Sequence, residues 1–132
     1  MRLTSPLVVS EPIQGAPWLS GVYLDGTLAA SSSVVLTLAT LSTHSAYKAT
    51  TQTAAYETNG ASSRCGSFAR ELLAHRNSAG AISDGTRSSA LGDNVVTVTL
   101  AVAGNDIQLT IANANTWPVT YTVSGTLQQG TP

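Results

Sequence analysis

Apolar and small polar residues alternate strictly along residues 95–113, VVTVTLAVAGNDIQLTIAN, with one interruption. Side chains in a strand switch faces at every residue, so Val96, Val98, Leu100 and Val102 share one side and Thr97, Thr99, Ala101 and Ala103 the other. Gly104-Asn105-Asp106 can take the positive φ of a tight turn, and Ile107, Leu109 and Ile111 supply the apolar face of a return arm. The pattern predicts a β-hairpin. A lone hairpin is marginal in water, so a second apolar surface must cover it. In the next segment Val119, Tyr121, Val123 and Leu127 face one way and Thr120, Thr122, Ser124 and Thr126 the other, with Trp117-Pro118 at its start. This predicts a third consecutive antiparallel strand and a sheet packed against another sheet.

Earlier segments read in the same way. Residues 18–30 predict a hairpin, because Asp25-Gly26 is a favoured two-residue turn between Val22, Leu24 and Leu28. Residues 33–41 predict a strand with Val34, Leu36, Leu38 and Leu41 inward and Val35, Thr37 and Ala39 outward. Residues 46–58 predict a Thr-rich strand in which Tyr47 and Tyr56 fall on opposite faces unless a bulge in the Thr-Thr-Gln-Thr run brings them together. Residues 64–77, RCGSFARELLAHRN, fit two periods: Cys65, Phe68 and Leu72 at helical spacing, or Phe68, Arg70, Leu72 and Ala74 on one face of a strand. The β character of every neighbouring segment favours the strand, followed by a turn at Ser78 to Gly80. Residues 81–94, with Asp84-Gly85 and Gly92-Asp93, predict a loop with a short strand.

The expected fold is all-β, an antiparallel β-sandwich of jelly-roll-like type over residues 18–132. An extended N-terminal arm, residues 1–17, precedes it, where Pro6, Pro12 and Pro17 disfavour helix and central strand alike. The arm can be an edge strand strapped onto its own sheet, or it can reach a neighbouring subunit through Leu3, Leu7, Val8, Val9 and Ile13. At 132 residues the chain is long enough for one self-supporting core, and 42% hydrophobic residues with a net charge of −1 argue against disorder. The same neutrality removes any electrostatic case for nucleic acid or an anionic membrane. The longest N-terminal apolar run, Leu7-Val8-Val9, is far too short for a membrane span. A single cysteine, Cys65, excludes an intrachain disulfide framework and fits assembly in a cytoplasm.

Chemistry is sparse. His44 and His75 are the only candidate bases, and neither stands in a recognised spacing to Cys65 or a serine. One Cys and two distant His make no zinc pattern, and Asp84, Asp93 and Asp106 sit beside glycine turns, where aspartate ordinarily bonds its own backbone. No enzymatic activity, cofactor or metal is expected. Arg64, Arg70, Arg76 and Arg87 crowd the middle of the chain and are candidates for inter-subunit salt bridges to Glu57, Glu71 or Asp84, because a planar guanidinium binds carboxylate through two bonds. Trp18, Tyr23, Tyr47, Tyr56, Trp117 and Tyr121 mostly fit core positions.

Taken together, the polar strand at Tyr47, the Ser67-Phe68-Ala69-Arg70 segment, the alternating hairpin and the closing Asn115-Thr116-Trp117-Pro118-Val119-Thr120-Tyr121 resemble a β-sandwich module of tailed-bacteriophage virion proteins. The family more often places its Trp within the closing strand, so Trp117 ahead of Pro118 is a departure. The resemblance implies a structural virion protein assembled in the host cytoplasm. Its first implication is a capsid decoration, or cement, protein that grips the major capsid protein as a homo-trimer. The alternative is a tail- or fibre-associated receptor-binding or adaptor module, with tail proteins or a host receptor as partners.

Overall fold

The computed structural model describes residues 8–13, 16–58 and 64–130, with side chains from residue 19 onward. Nine strands follow in order: β1 Val8–Ile13, β2 Ala16–Leu28, β3 Ser32–Thr40, β4 Ser45–Glu57, β5 Cys65–Arg76, β6 Ile82–Gly92, β7 Thr97–Ala103, β8 Asp106–Asn113 and β9 Val119–Gly130. They form an antiparallel β-sandwich, with a six-stranded sheet ordered β1-β2-β9-β4-β5-β6 and a three-stranded sheet ordered β3-β8-β7.

Alternation builds the core. Tyr47, Ala49 and Ala55 of β4, Phe68, Leu72 and Ala74 of β5, and Val119, Tyr121, Val123 and Leu127 of β9 point from the larger sheet into one cluster with Val98, Leu100, Ile107, Leu109 and Ile111 of the smaller. The predicted hairpin forms as β7 and β8, and Gly104 at its turn has φ +61°, a conformation that a Cβ would strain. Residues 65–76 are strand, not helix. Asn113 closes one end of the sandwich. Its buried amide donates to the carbonyls of Leu28, Ala29 and Trp117 at 3.3, 3.1 and 2.8 Å and so ties two loops to the end of β8.

Four expectations are corrected. The predicted turn at Asp25-Gly26 lies inside β2, which runs unbroken beside β9 with Gly26 opposite Tyr121. A Cβ on Gly26 would stand 2.9 Å from the Tyr121 hydroxyl oxygen, so this glycine makes room for a ring and not for a reversal. Strand β9 does not extend the hairpin; it lies between β2 and β4 in the other sheet. Alternation specifies a strand's faces, not its neighbours. Strand β4 needs no bulge: its register with β5 and β9 is continuous, Tyr47 is buried and Tyr56 is exposed. Residues 82–92 form a strand of 11 residues where a loop with a short strand was expected. It adds to β5 residue for residue, from Gly66 opposite Gly92 to Arg76 opposite Ile82.

Candidate binding face

The three-stranded sheet covers only one side of the larger sheet. The opposite side carries no second layer among the described residues, and the register sets its side chains in rows across the strands. Leu19, Gln128, Lys48, Leu73 and Gly85 form one row and Gly21, Thr126, Thr50, Glu71 and Arg87 the next. Tyr23, Ser124, Gln52, Ala69 and Ser89 follow, and then Asp25, Thr122, Ala54, Ser67 and Leu91. Thr27, Thr120, Tyr56 and Cys65 close the face.

Height varies across these rows. Gln52, Ala54, Ser67, Ala69, Thr122 and Ser124 are short or flexible and leave two adjoining open hollows of about 400 Å³ each, which share Gln52, Ala69 and Ser89. Leu91 (80% exposed) lines one hollow, and Tyr23 (46%), opposite Ser124, and Tyr56 (50%), two residues beyond Ala54, stand on the same face. From β9 to β6 the hollows together span three strand spacings, roughly 14 Å. One hollow is lined by hydroxyls, an amide and apolar groups without charge, while Arg70, Glu71 and Arg87 line the other. Lys48 and Glu71 form an exposed ion pair at 3.8 Å.

The candidate arginines separate. Arg70 lies on the inward parity of β5; its Nε donates to the Val98 carbonyl of β7 at 2.9 Å, its Nη1 donates to the Ala69 and Ser89 carbonyls at 2.9 and 3.1 Å, and its guanidinium lies 5.9 Å from the Phe68 ring centroid. It braces the two sheets together. Arg76 donates to the Gly80 and Leu41 carbonyls at 3.2 and 3.0 Å and pins two loops at the other end. Arg64 pairs with the buried Glu57 carboxylate of the same chain at 3.2 Å. Arg87 lies exposed on β6, with no ion pair to another described residue. Of the arm residues, Val8, Val9 and Ile13 lie in β1, which pairs with β2 of the same chain; Leu3 and Leu7 lie outside the described residues.

His44 and His75 do come together, in an open cleft of about 590 Å³ that Arg76, Asn77, Ser78 and Gly130 also line. Cys65 is far from them, at the other end of β5. Among the described residues no group of three or more His, Cys, Asp or Glu is placed to hold a metal ion, and no helix is long and apolar enough to cross a membrane.

The expectation that the aromatics mostly fill the core fails for Tyr23, Tyr56 and Trp117, each about half exposed. The signal was in the sequence: Tyr56 shares parity with Lys48, Thr50, Gln52 and Ala54, and Tyr23 has the parity opposite to Val22 and Leu24. Gln52, Ser67 and Ser124 carry no chemical signature and only register assembles them.

No protein-family model and no curated protein matches the chain. Among solved structures it is similar to the tailspike protein of Acinetobacter baumannii phage AM24, with a TM-score of 0.48 and 11% identity over 83% of this chain and 26% of that one. It is also similar to the tailspike protein of Acinetobacter baumannii bacteriophage Fri1, a capsular polysaccharide depolymerase, with a TM-score of 0.42 and 9% identity over 94% of this chain and 21% of that one. Both neighbours are phage tailspikes. The chain spans about a fifth to a quarter of their length.

Proposed function

We propose that the chain is a tail- or fibre-associated structural module of a bacteriophage virion, and that it recognises a hydroxyl-rich host-surface glycan with the open face of its six-stranded sheet. The observation that carries the reading is a neutral hollow of hydroxyls and an amide with half-exposed Tyr23 and Tyr56 on the same face of the sheet. Flat rings cover the apolar faces of sugars, and Ser, Thr and Gln side chains both donate and accept hydrogen bonds to sugar hydroxyls. Hollows open along their length suit an internal stretch of a polymer better than an enclosed small molecule. The virion setting rests on the sequence resemblance. Capsid decoration through a gripping arm is the weaker alternative, because Val8, Val9 and Ile13 are taken up in the chain's own sheet. Inter-subunit ion pairing narrows to Arg87, since the guanidinium groups of Arg64, Arg70 and Arg76 all have partners within the chain.

The test is the number of copies in purified particles, measured by mass spectrometry against the major capsid and tail proteins, together with binding of the labelled protein to host cells. A handful of copies and cell binding that falls at least tenfold in Tyr23→Ala/Tyr56→Ala support the reading. Hundreds of copies per particle restore capsid decoration.

A further inference from the structure

The six-stranded sheet ends in two different edges. At one, β1 contains Pro12 and shifts register twice against β2, between Val9 and Pro12 and again between Pro12 and Ile13. Proline and irregular pairing are devices that blunt an edge against further strands. At the other, β6 runs its full length beside β5 without proline and without a register shift. In the smaller sheet, edge strand β3 has an irregularity between Thr37 and Ala39, and edge strand β7 is seven residues long. Strand β6 is therefore the long edge of regular register among the described residues.

It is also a strand that its own chain leaves uncovered. Every residue of β6 after Ile82 is exposed on both faces, because the three-stranded sheet stops short of it. Its two charged residues, Asp84 and Arg87, point to opposite faces and have no ion-pair partner among the described residues. Half of its backbone N–H and C=O groups face away from β5, ready for another ladder.

We propose that β6 is a pairing edge whose occupant is β6 of a second copy, joined antiparallel about a two-fold axis into one continuous sheet. The second copy is singled out because an edge-to-edge contact needs an open edge on each side, and β6 is the long edge of regular register among the described residues. A two-fold perpendicular to the sheet keeps inward faces inward, so only registers that pair residues of like parity are allowed. With Thr86 opposite itself, Asp84 meets Ser88, Ser83 meets Ser89, and each Arg87 lies across from Gly85 of the other copy. A Cβ on Gly85 would meet nothing within 4 Å, so the guanidinium has room there. The register centred on Arg87 would set like charges directly opposite and is disfavoured.

The inference goes beyond glycan recognition, since pairing uses the backbone edge of β6 whereas the hollows use side chains of its outward face. Sedimentation of the full chain from micromolar to millimolar concentration should show a monomer–dimer equilibrium. Amide exchange by NMR should then show every second amide of β6 slowing at least tenfold as dimer forms. Gly85→Pro and Thr86→Pro separate the edges, because adjacent N–H groups point to opposite sides of a strand. One variant should lose a bond to β5, and the other should stay folded and dimerise at least tenfold more weakly. A chain monomeric throughout, a dimer with β6 amides still fast, or two proline variants that both dimerise as the native chain would overturn the proposal. Protection of β6 that appears only when another virion protein is added would also overturn it, and would assign the edge to that protein.

Discussion

Strands β4 and β6 lie on either side of β5 in one sheet, with 13 and 11 residues. Strand β4 alternates buried and exposed positions almost without exception, whereas β6 is exposed on both faces. A strand flanked by two ladders and covered on one face is stabilised by burial as well as by hydrogen bonds. The uncovered edge strand is held by its ladder and by the Arg70 bond to the Ser89 carbonyl, and such segments belong to the low-stability end of a domain.

The largest test of the contrast is a carboxylate placed along one inward row. Ala49 of β4, Leu72 of β5 and Thr86 of β6 are successive cross-strand partners, and exposure runs from none at Ala49 and Leu72 to open at Thr86. Ala49→Asp should abolish folding, because an unpaired buried charge costs more than about 4 kcal/mol against a total stability of about 5–15 kcal/mol. Thr86→Asp should change stability by less than about 0.5 kcal/mol. Urea denaturation of both variants decides it; equal effects would mean that β6 is covered in solution. Leu100→Asp, in the centre of the facing sheet, should behave like Ala49→Asp.

Next in size is Leu72→Ala, expected to cost about 2–5 kcal/mol through lost burial and a residual cavity. Leu91→Ala, at a residue that is 80% exposed, should cost less than about 0.5 kcal/mol. A larger loss at Leu91 in concentrated protein than in dilute protein would place that leucine inside an assembled interface.

The contrast also explains what could be read from the chain. Where a strand is one-sided, as in residues 97–103 and 106–113, polarity repeats every second residue and both the element and its faces were legible. The Thr-rich β4 was equally legible, apart from the unneeded bulge. Strand β6 lacks a buried face, so ISDGTRSSALG carries no periodicity and its glycine reads as a turn. Asp25-Gly26 misled for a related reason: glycine answers both a reversal and a close ring, and only Tyr121, far along the chain, tells which. The binding face was least legible of all. Its members are ordinary Ser, Thr, Ala and Gln residues that become a site only through the register of five strands.

A smaller effect, of opposite sign, belongs to the buried face of β4. The Thr51 and Thr53 hydroxyls are buried without a hydrogen-bond partner, although the one outward threonine of the same strand, Thr50, bonds to Thr126 at 2.8 Å. A buried hydroxyl without a partner costs about 1–3 kcal/mol. Thr51→Val and Thr53→Val should each raise stability by about 1 kcal/mol or more, read as a higher urea midpoint at unchanged m-value. Thr50→Val, which breaks an outward pair, should not. Unaltered midpoints in both inward variants would show that these hydroxyls find partners in solution.

The smallest effect separates two buried tyrosines by pH. Burial raises the pKa of Tyr121, and the nearby Asp25 charge raises it further. Burial pushes Tyr47 up as well, but hydrogen bonds from Ser45 and Ser42 outweigh it and leave its phenol below the ordinary value of 10.0. The folded state therefore holds the Tyr121 proton longer than the unfolded chain does. That contribution is complete below pH 10.0 and is lost as pH rises through the raised pKa. Tyr47 works in the opposite direction, because its folded form ionises first and gains stability over the same rise. Tyr121→Phe should flatten the alkaline loss of stability and Tyr47→Phe should steepen it, in urea titrations between about pH 9 and 11 around the free tyrosine value. Both variants following the native profile would mean that the two phenols ionise only after the domain has opened.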